Sequence, residues 1–563
     1  MSSALRHRLL SFFILVSLTA GGCSRQEEAP PTSVPVQSTL TTINGQPVQG
    51  DWVVQRIGAD PDSLNPITGQ DADGAMIRYP NIFESLLVMD HFTLKLKPLL
   101  AESYEISPDQ LVYTFHLRHD VKWQDGVPFT ADDVKYSYDR IQDPKVDASQ
   151  LRNYFDNIKS CEILDPYTVR FTATKRYFKT LECLGTDNLP IIPKHILEKG
   201  EPDFNKHPFG RHPVGTGPYK FVRWDTGSQI VLERDDSYWG AKDHYPKRLV
   251  FQIIQESYVA AQLLKKGELD VVDGISPIQW ERELAGTRSG SRLNKIVYPY
   301  PAYSYLGFNL RDPLFADIRV RHAIDLLIPR DEIMSQIYLN QYTIKTSGYD
   351  PTSSPTYNHD VAPTPYDPAL ALKLLNDAGW KNDHGDGLLY KDGKPLSFTL
   401  VYPGGNTNGQ KILELVQESL RRAGIDLKLS RLEWAQLLQK INEWNFEMTM
   451  SGWALDIISD PYQLWHSSQA DIKKSSNFIG YKNPAADKLI EEGRLEYDDE
   501  KRAALYRQLH KIIHDDYPVC FLFNPKVILL ISNRYQNVQV FAPRPCFDIT
   551  SWWVPSNLQK YGN

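Results

Sequence analysis

An acidic side chain follows a strand-like segment in the last third of the chain. Residues Phe446 to Ser451 alternate apolar and polar side chains, as a strand with one buried face does. The segment continues into Gly452-Trp453-Ala454-Leu455-Asp456. In open α/β sheets, ligands bind beyond the carboxyl ends of the strands, so we expect Asp456 to face a crevice. The alternative is a turn or helix-capping role, because Asp460 and Pro461 follow closely.

No sequence pattern in the chain indicates a catalytic, metal or cofactor site. His510 and His514 have the i, i+4 spacing of a metal-binding helix, but HExxH is absent and a solvated or capping pair is the favoured interpretation. Gly215 and Gly217 lack the third glycine of a dinucleotide fingerprint. There is no GxSxG, P-loop or CxxC. We therefore predict no catalytic residue, no metal and no cofactor, although the paired carboxylates of a hydrolase need no local signature.

The segments before Asp456 form a regular βαβ pattern. Ser397 to Tyr402 is a predicted strand, Gln410 to Ala423 an amphipathic helix stopped by Gly424, and Ile425 to Leu429 a second strand. Such a crossover implies parallel strands and a right-handed connection. A further predicted helix, Glu433 to Asn442, leads into the strand that ends near Asp456.

Helices and strands also alternate in the first half of the chain. Asp51 to Ile57 and Tyr113 to Arg118 alternate as strands, and Met76 to Leu87 has helical periodicity. Thr130 is a predicted N-cap, and Tyr258 to Lys266 is a predicted helix that ends at Gly267. The fold class is therefore mixed α/β.

The N-terminus has the pattern of an export signal. Two arginines precede the apolar stretch Leu9 to Leu18, which is too short to span a bilayer. It leads into Ala20-Gly21-Gly22-Cys23, which resembles the cleavage and lipidation box of bacterial lipoproteins. We expect residues 1–22 to be a lipoprotein signal peptide, Cys23 to be lipidated, and residues 23–50 to be a flexible tether. The alternative is an ordinary signal peptide with a free Cys23.

Composition limits the classes of partner. The 563 residues are 41% hydrophobic and 23% charged, which is typical of a globular chain with several domains or two large lobes. The formal net charge of −7 gives no electrostatic reason to expect nucleic acid or an anionic membrane surface as a partner.

The cysteines are compatible with an oxidising compartment. Apart from Cys23 there are four: Cys161, Cys183, Cys520 and Cys546. We predict disulfides between neighbours along the chain, Cys161 with Cys183 and Cys520 with Cys546. Four buried free thiols are the alternative, since a chain of this length has enough core without disulfides.

Several short stretches, in their order and spacing, identify the chain as similar to a known family. They are Pro98 to Glu105, Tyr113 to Arg118, Val121 to Gly126, Pro128 to Val134, Val214 to Tyr219, Phe308-Asn309, Arg319 to Ala323, Tyr366 to Pro368, Leu374-Leu375 and Ala378-Gly379. The chain resembles the family 5 extracellular solute-binding proteins of bacteria, the peptide-binding and related receptors of ABC importers. The resemblance extends from about Trp52 to about Asn537.

The resemblance implies a two-lobed fold of the periplasmic-binding-protein type, class II and cluster C, which closes on its ligand by hinge motion. Lobe I would comprise residues 51–90 and 211–312, with an inserted subdomain at 91–210. Lobe II would comprise 313–519, and residues 520–563 would return to lobe I.

The resemblance also implies a ligand site. In peptide-binding members, an Asp after a Gly-Trp pair binds the peptide α-ammonium, and the preceding backbone pairs with the peptide as an added strand. Gly452, Trp453, Ala454 and Asp456 match this pattern. Dipeptide binders use an Arg after the strand that here ends at Tyr402, and residues 403–411 contain none. Longer peptides or a non-peptide ligand are therefore expected.

The functional expectation is an exported, lipid-anchored, monomeric receptor on the outer side of the bacterial membrane. It would pass peptides, with oligopeptides preferred, to ABC permease subunits. The alternatives are a receptor of the same fold for a nickel complex, haem or a sugar, a sensory receptor and, more remotely, an exported hydrolase.

Overall fold

The computed structural model describes residues 37–38, 45–69, 71–404, 407–541 and 543–561, so the expected signal peptide, Cys23 and most of the tether lie outside the described residues. The strands are β1 Gln37–Ser38, β2 Trp52–Ile57, β3 Leu87–Met89, β4 Leu96–Pro98, β5 Ala101–Ile106, β6 Val112–Leu117, β7 Ile158–Asp165, β8 Thr168–Ala173, β9 Tyr219–Asp225, β10 Gln229–Arg234, β11 Arg248–Ile253, β12 Val271–Val272, β13 Leu293–Pro299, β14 Ala302–Phe308, β15 Thr343–Lys345, β16 Tyr390–Lys391, β17 Lys394–Pro395, β18 Ser397–Pro403, β19 Asp426–Leu432, β20 Met448–Ala454 and β21 Val519–Ser532.

The α-helices lie between these strands and vary from short turns to long helices. They are α1 Ala72–Ile77, α2 Ala131–Gln142, α3 Ser149–Arg152, α4 Thr180–Gly185, α5 Lys194–Leu197, α6 Ser257–Lys266, α7 Pro277–Gln279, α8 Ile318–Leu326, α9 Arg330–Tyr338, α10 Pro368–Asp377, α11 Thr407–Arg422, α12 Trp434–Asn442, α13 Tyr462–Trp465, α14 Pro484–Leu495 and α15 Asp499–Asp516. Within the part of the chain that the structure describes, no helix is both long and apolar enough to cross a membrane.

One large mixed sheet runs through both halves of the molecule, in the order β19-β18-β20-β14-β21-β12-β2-β11-β10-β9. Strand β21 belongs to both halves: Val519 to Phe523 pair with β14, and Lys526 to Ser532 pair with β13. From here on, lobe I is the half with β2 and β9–β13, and lobe II is the half with β14, β15 and β18–β20. Strand β14, which the expected bounds placed in lobe I, pairs with β20 and is counted with lobe II. The predicted mixed α/β class is confirmed.

A separate four-stranded sheet, β5-β6-β8-β7, lies in the sequence between β2 and β9. Its inward side chains Phe115 and Phe171 belong to the same hydrophobic core as Val53 and Ile57 of β2, so this subdomain packs on lobe I. Helix α2 begins as the sequence predicted, with a reciprocal capping box between Thr130 and Asp133.

Lobe II contains the predicted βαβ unit. Strands β18 and β19 are parallel, with Leu400 opposite Leu429. Helix α11 buries Ile412, Val416 and Leu420 against them, which matches its helical spacing. Gly424 follows with φ of 83°, a left-handed conformation that ends the helix at little cost for glycine.

The predicted helix over Met76 to Leu87 is wrong. Helix α1 ends at Ile77, Tyr79 and Pro80 have non-helical backbone angles, and Leu87 begins β3. Pro80 has no amide hydrogen to continue the helix, and it disfavours the helical conformation of the residue before it.

The predicted disulfides are also wrong, because the four described cysteines are buried and none of them forms a disulfide bond. Cys520 lies in the core of lobe II and Cys546 in the core of lobe I, so the two are in separate parts of the molecule. Burial raises the pKa of the Cys161 thiol to about 12. Such thiols are protonated at neutral pH and inert.

Candidate functional site

Strand β20 carries most of the residues that the sequence singled out. It pairs along its whole length with β14, from Phe308 opposite Met448 to Ala302 opposite Ala454. On its other side, β18 pairs only with Met448 and Thr449. Beyond Thr449, no other strand of the described chain covers that edge, so the backbone groups of the last residues of β20 are available for pairing.

The side chains at the end of β20 leave this edge accessible. Gly452 and Ala454 are exposed, while Trp453 between them is half-buried and packs against Phe478, with ring centroids 6.3 Å apart. A Cβ on Gly452 would lie 2.9 Å from the carbonyl oxygen of Tyr303, so the close approach of β14 to β20 requires glycine here.

Asp456 follows two residues after β20, and its side chain is 42% exposed. The Leu455 amide donates to the Pro301 carbonyl at 2.8 Å, which continues the β14–β20 pairing up to the aspartate. Asp456 Oδ2 lies 3.1 Å from the Lys179 ammonium, and Oδ1 lies 3.5 Å from Arg544 Nη2. Charge attraction from Lys179, and then from Arg544, holds the pKa of Asp456 below its usual value despite partial desolvation.

The sequence predicted a ligand ammonium at Asp456 and no protein cation beside it, whereas the structure places two there. Lys179 lies between β8 and α4, and Arg544 lies in the C-terminal segment after β21. Sequence reasoning missed both residues, because neither lies in a recognisable motif.

Lys179 is the most buried charge of the group. Its side chain is 2% exposed, and its ammonium also lies 3.0 Å from Glu182 Oε1, three residues further along at the start of α4. Burial disfavours the charged form of Lys179, but the carboxylates of Asp456 and Glu182 outweigh that effect and raise its pKa. The lysine is therefore a permanent cation beside Asp456.

A fifth charged residue completes this site. Desolvation raises the pKa of Asp187, and the nearby Asp456 carboxylate raises it further. We call Lys179, Glu182, Asp187, Asp456 and Arg544 the charged cluster. It lies where the inserted subdomain, the C-terminal segment and lobe II meet.

The segment before Lys179 also contacts lobe II. The Phe178 amide donates to the Arg494 carbonyl at 3.0 Å, and the Tyr497 hydroxyl donates to the Tyr177 carbonyl at 3.1 Å. Arg502 lies over the Phe178 ring at 4.2 Å. These contacts hold the charged cluster between the lobes.

The segment after β18 contains no arginine, but the fold brings one beside it. A Cβ on Gly404 would lie 2.9 Å from Arg431 Nε, and Arg431 sits opposite Tyr402 in the parallel β18–β19 pair. Because Arg431 lies on the neighbouring strand, residues 403–411 alone do not reveal it.

The other sequence candidates have structural roles. His510 is buried, not solvated: its Nε2 lies 3.1 Å from the Ser347 hydroxyl and its Nδ1 accepts from the Asn358 amide at 3.0 Å. His514 Nδ1 lies 2.9 Å from the Ser347 carbonyl. Within the described ranges, no three His, Cys, Asp or Glu side chains form a group that could hold a metal ion.

The aromatic cluster around β13 and β14 is mostly core. Tyr298, Tyr303 and Tyr305 are each no more than 3% exposed, whereas Tyr300 is half-buried. Three of these four tyrosines therefore pack in the core.

Comparison with known proteins now gives the family. The family model "Bacterial extracellular solute-binding proteins, family 5 Middle" matches residues 95–475. The oligopeptide-binding protein AppA of Bacillus subtilis is 30% identical over 97% of this chain and 98% of its own. Its structure with a nonapeptide has a TM-score of 0.79 and 29% identity, covering 91% of this chain and 100% of that one.

Two further solved structures have the same fold. DppA from Helicobacter pylori, in complex with the peptide STSA, has a TM-score of 0.77 and 28% identity, over 91% and 99% of the two chains. NikZ from Campylobacter jejuni, in complex with Ni(L-His), has a TM-score of 0.77 and 26% identity, over 89% and 99%. This chain belongs to the bacterial extracellular solute-binding proteins of family 5, which are binding receptors and not enzymes.

Proposed function

We propose that this exported receptor binds oligopeptides between its two lobes and delivers them to the permease of an ABC importer. The observation that carries the proposal is the available edge of β20, which leads directly to the Asp456 carboxylate between the lobes. An extended peptide has a backbone that can pair with such an edge and an α-ammonium that can bind such a carboxylate.

Backbone pairing suits a receptor for peptides of varied sequence. Hydrogen bonds from β20 would be made to the main chain of the ligand, so they would not depend on its side chains. Gly452 and Ala454 support this role because neither has a side chain long enough to cover the edge. Trp453, half-buried between them, would line the site with its ring.

The position of Asp456 between the lobes supports a closing mechanism. A ligand held by β20 of lobe II would also meet Lys179 and Arg544 from the lobe I side. A ligand that contacts both lobes binds the closed state better than the open state, and it shifts the equilibrium by that difference in affinity.

Relatives support peptides over other ligands. AppA and DppA are described with bound peptides, and this chain is more similar to AppA than to NikZ, which holds a nickel complex. The proposal includes lipidation of Cys23, a tether up to residue 50 and a monomeric receptor. These parts rest on the sequence alone.

The test is to weigh the ligand that the protein retains. The chain from Ser24 onward, produced in its own export compartment, is analysed by native mass spectrometry and then denatured to release bound molecules. A ladder of short peptide masses would support the proposal and give the length range. A single non-peptide mass would refute peptide binding while keeping the receptor role, and an empty protein would be screened with peptides by thermal shift.

A further inference from the structure

The ion pair between Lys179 and Asp456 lies where the proposed function places a ligand ammonium. Resting on that proposed function, we propose that Lys179 is a specificity-determining residue whose ammonium competes with the ligand ammonium for Asp456. The competition lowers the preference of the receptor for peptides with a free N-terminus over peptides with a blocked one.

The geometry shows that the two cations would share one carboxylate. Lys179 Nζ reaches Asp456 Oδ2 at 3.1 Å from the protein interior, where its side chain is 2% exposed. The Asp456 side chain is 42% exposed on its other side, so a ligand group can still approach it. Arg544 Nη2 lies 3.5 Å from the second oxygen, and each oxygen therefore has a cation nearby.

The Asp456 carboxylate attracts a ligand ammonium less strongly when two protein cations already lie beside it. Lys179 and Arg544 already compensate the charge of Asp456, and both repel an incoming ammonium. A peptide with an acetylated N-terminus brings no positive charge and meets no such repulsion. The free N-terminus therefore loses part of the advantage that an unpaired aspartate would give it.

Glu182 allows Lys179 to lose its contact with Asp456 when a ligand binds there. Its Oε1 lies 3.0 Å from the Lys179 ammonium and its side chain is 15% exposed, so the lysine keeps a buried anionic partner if a ligand takes over Asp456. Without Glu182 the lysine would depend on Asp456 alone and would compete more strongly. Lys179 and Glu182 should thus change specificity in opposite directions.

The experiment measures the dissociation constants of one pentapeptide with a free N-terminus and of its N-acetyl form, by calorimetry on the full mature chain. The quantity compared is the ratio of the acetylated to the free value. Lys179→Met should raise this ratio about tenfold, as expected when a charge-assisted bond gains strength. Glu182→Gln should lower it.

The possible results separate this inference from the proposed function. If both peptides bind but neither variant changes the ratio, or both dissociation constants move together, Lys179 has only a structural role and the inference is wrong. If Lys179→Met fails to fold, the test rests on Glu182→Gln alone: a lower ratio supports the inference, and an unchanged or higher ratio contradicts it. If the wild-type chain binds neither peptide, the proposed function fails and the competition fails with it.

Discussion

The Tyr177 hydroxyl donates to Asp460 Oδ2 at 2.8 Å and so joins the inserted subdomain to the loop after β20. Arg494, at the end of α14, lies 3.0 Å from the same oxygen, and its guanidinium stands 4.6 Å from the Tyr177 ring centroid. One carboxylate therefore connects three segments that are far apart in the sequence, next to the proposed ligand site.

We expect Tyr177→Phe to weaken this connection. The variant loses a hydrogen bond to a charged acceptor, so the free energy of unfolding should fall by about 1–2 kcal/mol. Urea denaturation measures the change. Tyr390→Phe is the matched control, because its hydroxyl also donates to an aspartate, Asp386, but on the exposed surface. Equal effects in both variants would contradict the interlobe role of Tyr177.

Asp456→Ala should lower the affinity for peptides with a free N-terminus. Loss of a charge-assisted hydrogen bond should raise the dissociation constant about 10- to 100-fold. The fold should survive, because Lys179 keeps Glu182 as a partner. Calorimetry measures affinity and a thermal melt checks folding, with Asp471→Ala, which removes an exposed pair with Lys482, as the control. An unchanged affinity would contradict the binding of the peptide α-ammonium by Asp456.

Backbone pairing with β20 can be tested on the ligand. Methylating one peptide amide at a time removes one hydrogen-bond donor without changing a side chain. Only alternate amides of a strand point at a given neighbour, so affinity should fall about tenfold at every second position and little between them. Equal losses at all positions, or none, would exclude strand addition.

Buried Glu84 predicts a pH dependence of stability. It is 5% exposed and accepts hydrogen bonds from the Tyr238 hydroxyl at 2.6 Å and from Trp239 Nε1 at 3.0 Å. Burial raises its pKa to about 7, from an ordinary value of 4.5. The folded state thus retains a proton that the unfolded state loses, and stability decreases as the pH rises from 4.5 to 7.

Glu84→Gln should remove this dependence, since glutamine does not titrate. Between pH 4.5 and pH 7, the free energy of unfolding of the wild type should fall by about 3 kcal/mol relative to that of the variant. Urea titrations at several pH values measure it. Parallel pH profiles for the two proteins would show that Glu84 does not titrate there.

The free cysteines predict a simple thiol count. A chain starting at Ser24 should show no reactive thiols when folded and four after unfolding without reductant, because all four are buried and form no disulfide. Absorbance with a thiol reagent gives the number. Two or no thiols after unfolding would indicate disulfides.

Much of the fold followed from local sequence signals. The unit β18-α11-β19, the capping box at Thr130 and the end of α6 at Gly267 each depend on residues within one or two turns, so periodicity and cap residues were sufficient. In the segment predicted as a helix over Met76 to Leu87, the missing amide hydrogen of Pro80 prevails over the apolar spacing.

The charged cluster could be predicted only in part. Asp456 was identifiable because it follows a strand, but Lys179 is 277 positions away from it and Arg544 is 88 positions away. Contacts over such separations are set by tertiary packing, which leaves no local pattern around the lysine or the arginine. The same holds for Arg431, which reaches Gly404 from the neighbouring strand.

Strand β21 also governs the order in which the chain can fold. It pairs with β12 near Ile531 and with β14 near Phe521, so the large sheet stays incomplete until almost the whole polypeptide has been synthesised. Pairings between such distant residues form slowly, because loop closure must come first. A growing chain therefore cannot complete the large sheet before β21 emerges, and an exported polypeptide without its finished fold can still be threaded through a narrow channel.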